Sequence, residues 1–203
     1  MHVRVDAENL KIVVLAIVLL GWGAHSCYND SWVNYDRNET VRSLPHQSNT
    51  VKRAFGFKGF MIVPLADFAM EGRVLSKEAY FFGKESRLVP VDLALGWGPM
   101  SAYRVLKDLK ISQSGRWYEY TYKEPPILPG EMAGNSANMH LIPANAEIKR
   151  KIKNVRRGEI VAFKGSLVQA YDETGWRWTS SLSRSDTGEG ACELVWVEKF
   201  DVK

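Results

Sequence analysis

The sequence predicts an α+β protein, mainly antiparallel β, with a small C-terminal β-barrel-like (OB-like) module carrying one short basic helix. Three observations predict it: short β-prone runs separated by Gly, Pro and polar turns, one clear helical period after Asn145, and a glycine at the centre of the longest strand pattern. The chain has 203 residues, 45% hydrophobic and 25% charged, which is a globular composition and excludes collagen-like, low-complexity and wholly disordered chains. Two cysteines make no disulfide scaffold, and a net charge of +4 demands no polyanionic partner.

Residues Ile12–Leu20 form an unbroken apolar run, extended through Ala24 and preceded by Arg4, Asp6, Glu8 and Lys11. A bilayer span needs about 20 apolar residues and a signal-peptide core about 7–15. We therefore read 1–24 as a signal peptide or a single membrane anchor, with Ala24-His25-Ser26 as a cleavage site and lipidation at Cys27 as a weaker alternative. Basic residues before the run place the bulk of the chain outside the cytoplasm, membrane-anchored or periplasmic, where a Cys27–Cys192 bridge is chemically permitted.

Polar residues dominate 25–55, which reads as a linker. A β-rich module follows over 56–130. Phe57–Val63 ends at Pro64 as one strand, and Phe68–Leu75 alternates as a second. Further apolar runs at 80–82 and 88–91 precede Leu93–Pro99, whose Gly and Pro mark a loop. Ser101 caps a short helix to about Leu109, Trp117–Tyr122 alternates as a strand, and Pro125–Gly130 is extended and closes the module. The OB-like module covers 131–203. Met139–Pro143 is a strand, and Asn145 caps a helix with Ile148, Ile152 and Val155 on one stripe. Gly165 marks a bulge or bend within Glu159–Tyr171; Asp172–Gly175 turns; Trp176 and Trp178 share a strand face; Ser183–Gly190 is a polar loop; and Ala191–Val202 is the last strand.

The blocks Asp92–Gly98, Ile111–Ser114 with Arg116–Tyr118, Ser136–Ala144, and Gly175–Trp178 through Ser180–Leu182 to Asp186–Gly188 resemble those of a group of uncharacterised bacterial proteins with one N-terminal hydrophobic segment. The resemblance covers most of 55–200 and implies common descent. It brings no activity, ligand or catalytic residue.

No complete catalytic or metal-binding signature is present, so the chain is read as a non-catalytic binding or envelope-structural protein without a cofactor or metal. Candidate ligand-binding residues are Arg116, Trp117, His140, Arg177, Arg184 and Asp186, because aromatic rings beside guanidinium groups suit an envelope polymer or a protein partner. The rival reading is a hydrolase in which His140 is the base, Asp186 or Asp92 orients it, and Ser180, Ser181 or Cys192 attacks. Against it, Asp186-Thr187-Gly188 lacks the apolar flank of a buried aspartate dyad, and His140 in an apolar strand reads more simply as a core histidine bonded to a backbone carbonyl. The basic surface Lys149, Arg150, Lys151, Lys153, Arg156 and Arg157 is either a solvated helix face, a contact for anionic headgroups, or a nucleic-acid surface, and export argues against the last.

Overall fold

The computed structural model describes residues 39–183 and 192–203. The expected leader, Cys27, Arg184 and Asp186 lie outside them. Among the described residues no helix is long and apolar enough to cross a membrane.

The chain is β-rich. In order come β1 (His46–Ser48), β2 (Phe55–Phe57), β3 (Phe60–Ala79), α1 (Lys84–Leu88), β4 (Val91–Gly96), a 3-10 turn (Gly98–Ser101) and α2 (Tyr103–Leu106). Then follow β5 (Lys110–Ser114), β6 (Trp117–Thr121), α3 (Pro129–Gly134), β7 (Ser136–Pro143), α4 (Ala146–Asn154), β8 (Ile160–Tyr171), β9 (Arg177–Thr179) and β10 (Glu193–Val202).

Eight strands join in one sheet, and β5–β6 form a separate hairpin. Around the main sheet β3 pairs β4, β4 pairs β7, β7 pairs β10, β10 pairs β8, and β8 pairs β3 again. Only β7–β10 is parallel in this circuit, its register rising on both strands from Glu193 opposite Met139 to Val197 opposite Pro143. Strands of 56–130 and of 131–203 thus share one sheet, β3 and β4 lying together and pairing with β8 and β7, and the expected boundary at 130/131 runs through it.

Several elements differ from the sequence reading. The two strands expected on either side of Pro64 are one strand of 20 residues, because Pro64 sits beside a register shift against β8, where a ladder tolerates proline. Leu93–Gly96, read as loop, is the buried end of β4: its Val91–Gly96 run is covered on both faces, which removes alternation as a signal. Ile111–Ser114 is a strand, His46–Ser48 within the expected linker is another, and a helix, Pro129–Gly134, begins at the end of the stretch expected to be extended. Asn145 does cap α4, its Oδ1 accepting from the Ile148 amide at 2.9 Å.

One face of the circuit packs Phe68, Val91, Leu93, Leu141, Phe163 and Val195 into a single cluster, closed at one end by Ile148, Ile152 and Val155. At Gly165 the strands come so close that a Cβ would lie 1.8 Å from the Trp196 carbonyl oxygen, opposite the bulge between Val197 and Lys199. The other face carries two smaller clusters, one under α2 and the β5–β6 hairpin and one under Trp176, Trp178 and Trp196. Arg73, fully buried in β3, donates to the carbonyls of Ser101 (2.8 Å), Gly158 (2.6 Å) and Glu39 (3.0 Å), tying three loops to the sheet.

Candidate functional site

Alternation along β4 sends Val91, Leu93 and Leu95 to one face and Asp92 to the other. Register then sets Asp92 beside His140 of β7. Both are buried, and Asp92 Oδ2 lies 3.0 Å from His140 Nδ1, close but out of line for a hydrogen bond. Asp92 Oδ1 accepts from Arg116 Nη1 at 2.8 Å. A buried carboxylate is costly unless a cation and hydrogen bonds meet it, and Arg116 supplies both.

Arg116 reaches this carboxylate from the tip of the β5–β6 hairpin. Ser114 pairs Trp117, which leaves Gly115 and Arg116 as a two-residue loop with φ of 60° and 73°. Such a turn matches the strand twist but needs positive φ at both positions, an inexpensive conformation for Gly115 and one costing Arg116 about 1–2 kcal/mol. The tip is held through the Arg116 backbone and side chain together. The Arg116 amide donates to the Tyr80 hydroxyl (3.1 Å), its carbonyl accepts from Asn138 Nδ2 (2.8 Å), and Nη2 donates to the Val89 carbonyl (3.1 Å). Gln113 Nε2 donates to Asn138 Oδ1 (2.7 Å), extending the network along β7.

Aromatic rings enclose the charges. The Arg116 guanidinium carbon lies 3.6 Å from the Tyr80 ring centre and 5.4 Å from that of Trp178, and the His140 ring sits 4.6 Å from Trp178. The Tyr80 phenol is pushed well above its ordinary pKa, first by burial and next by the charge of Asp92, so it stays protonated. Tyr118, buried deeper under the hairpin, is raised for the first of those reasons and donates to Ser136 Oγ at 2.5 Å, which donates in turn to the Met132 carbonyl.

Of the candidates from sequence, Arg116 and His140 are thus brought together, through Asp92. Asp92, one of the two carboxylates the sequence offers His140, lies beside its Nδ1 without hydrogen-bonding it. Trp117 follows Arg116 on β6 and is 45% exposed; Arg177 is exposed on β9, on the side opposite Trp178. Neither joins the buried group. Trp97 is core, whereas Trp176, Trp178 and Trp196 are half-buried at its edge. The basic residues divide: Lys151 pairs Glu147 and Asp201, and Arg156 pairs Glu159, while Lys149, Arg150 and Lys153 lie along α4.

Tyr80 and Asn138 were missed because their roles depend on the hairpin tip meeting the end of β3 and the middle of β7, while Trp178, legible as a strand-face ring, reaches the same group from β9. Asp92 had a legible signal, a lone carboxylate in the apolar run Val91–Leu95. A cavity of about 760 Å³ opens at the other end of the hairpin, between Lys107–Lys110 and Thr121–Pro126, away from these groups. Among the described residues no cluster of three or more His, Cys, Asp or Glu is placed to hold a metal. Compared with protein-family models, curated proteins and solved structures, the chain matches none.

Proposed function

We propose that the chain is an exported or membrane-tethered envelope protein whose described part is a non-catalytic binding module on an OB-like barrel. The strand circuit supports the barrel: its order β3-β4-β7-β10-β8-β3, the parallel β7–β10 pair and the helix between β7 and β8 suit a five-stranded barrel of that type. In that reading β4 and β7 form the face on which such barrels take their ligands, bordered by the 80–90 connection and by the connection that carries Trp176 and Trp178.

One observation carries the non-catalytic part. The acid–base groups on that face are consumed by the chain itself, since Asp92 is met by Arg116 from the hairpin and His140 is packed under Trp178 with its side chain 3% exposed. A general base must reach a substrate proton, and this imidazole is covered. What remains outside is the rim: Trp176 beneath the Lys84 ammonium, Trp117, and Arg177. Rings with flanking cations suit an envelope polymer or a protein partner carrying acidic groups.

The test is protease access to a C-terminally tagged copy in intact and permeabilised spheroplasts, with carbonate extraction and the apparent mass of the tagged chain. The tag is expected to be digested in intact spheroplasts while the membrane-bound form resists carbonate, or to appear on a shortened periplasmic chain. A tag protected until permeabilisation overturns the reading.

A further inference from the structure

Phe81 and Phe82 follow β3 with 62% and 93% of their surface exposed. Single exposed apolar residues are ordinary, but two adjacent phenylalanines at a bend, within reach of several cations, are not. Lys153 Nζ lies 5.8 Å from the Phe81 ring centre. Lys77, near the end of β3, donates to the carbonyls of Lys153 (2.9 Å) and Val155 (2.6 Å), fastening the C-terminal end of α4 beside this bend. One turn back on the same side of α4 is Lys149. It is close enough to Lys58 to add to the effect of burial in lowering that ammonium's pKa, while Lys58 itself donates to the Arg87 carbonyl (3.0 Å) of α1. Among the described residues neither Lys149 nor Lys153 has a carboxylate at ion-pair distance; the acidic partners of α4 sit on its other side, with Lys151.

We propose that Phe81 and Phe82, with Lys153 beside Phe81 and Lys149 one turn back on α4, form a face that docks on an anionic lipid surface, the rings entering the headgroup boundary and the ammonium groups meeting lipid phosphates. This rests on the reading of the chain as membrane-tethered. Two further observations favour a bilayer over a nucleic acid. The apolar run Ile12–Leu20 is separated from Glu39 by 18 residues, which span at most about 60 Å, so a tethered barrel stays close to lipid. Glu39 is also held by Arg73, which at the same time binds Gly158 in the loop after α4, so the chain enters the fold on the side of the basic helix. Phenylalanine beside lysine is the composition of interfacial segments, where buried rings and anionic lipids act together.

The full chain is reconstituted in phosphatidylcholine vesicles with and without phosphatidylglycerol, carrying a polarity-sensitive dye on Phe82→Cys with Cys27 and Cys192 changed to serine. Blue-shifted emission and quenching by brominated acyl chains are expected only with phosphatidylglycerol, and are lost at high salt. Lys149→Glu with Lys153→Glu lowers the docked-to-undocked ratio at least about twentyfold, at roughly fivefold per cation. As a check on the unlabelled chain, aqueous acylation of Lys153 should slow on the anionic vesicles while that of Lys123 does not. Equal emission in both vesicles, or a shift only when single-stranded DNA is added, overturns the proposal. Carbonate extraction of the same vesicles reads the tether separately: a chain that washes off yet still shifts its emission with phosphatidylglycerol contradicts the tether and keeps the docking face.

Discussion

Asp92 shows how much one residue sets when it is buried. Its carboxylate fixes the orientation of Arg116, adds to the burial that keeps Tyr80 protonated, and lies beside His140. Its position was legible as a polar interruption of an apolar run, and it stood beside Asp186 as an orienting partner for His140, but Arg116 was not legible as its counter-charge, because it arrives from 24 residues away on a separate hairpin. Gly165 was legible as a place where the strand departs from regularity; that the cause is contact with the Trp196 carbonyl depends on a strand 31 residues later. Gly165→Ala is expected to destabilise the fold by about 3 kcal/mol through overpacking, measured by chemical denaturation, whereas Gly56→Ala, with open space around it, should cost far less. At the β8–β9 turn the Asp172 carboxyl is lowered to about 2, chiefly by the hydrogen bond from Lys84 and then by Thr174. A carboxyl whose folded pKa lies below its ordinary 3.8 adds stability above that pH and loses it as pH falls toward 2. The melting temperatures of the wild type and Lys84→Met should therefore differ at neutral pH and converge as the solution is acidified through that window.

At the scale of elements, the β5–β6 hairpin is the piece whose placement the sequence hid. Trp117–Tyr122 alternates visibly, but its partner Ile111–Ser114 is only partly apolar, and the Gly115–Arg116 loop lacks the Asn-Gly signature of such turns. The arginine stands there for its contacts, at a cost in backbone conformation. Arg116→Asn, which accepts positive φ, removes the guanidinium without straining the turn. Hydrogen exchange should then quicken at Ser112–Glu119 while Leu141 and Val195, in the paired centre of the sheet, keep their protection. Helix α4 was the most legible element, since a capping Asn145, an apolar stripe and surrounding charges agree. The 20 residues of β3 were divided in the reading because Pro64 usually ends a strand, and a bulge allows it here.

At the scale of the whole molecule, the sequence was read as two modules in series, whereas the pairings bring β3 and β4 around to meet β7 and β8. Strand order is a long-range property and has no local signature. Buried polar groups at catalytic sites are held at a cost, so removing one tends to leave stability unchanged or raise it; buried groups that clasp a fold do the opposite. Asp92 and Arg116 clasp the hairpin to the sheet, with His140 packed beside them under Trp178. A double-mutant cycle of Asp92→Asn and Arg116→Met, followed by urea unfolding with His140→Ala alongside, tests this clasp most directly. Asp92→Asn is expected to cost about 3 kcal/mol by leaving the largely covered Arg116 guanidinium without its hydrogen-bonded counter-charge, the double mutant to cost less than the sum of the singles, and His140→Ala to be destabilising as well. Additive single effects, or variants as stable as the wild type or more so, would contradict the clasp and return His140 to the list of candidate catalytic groups.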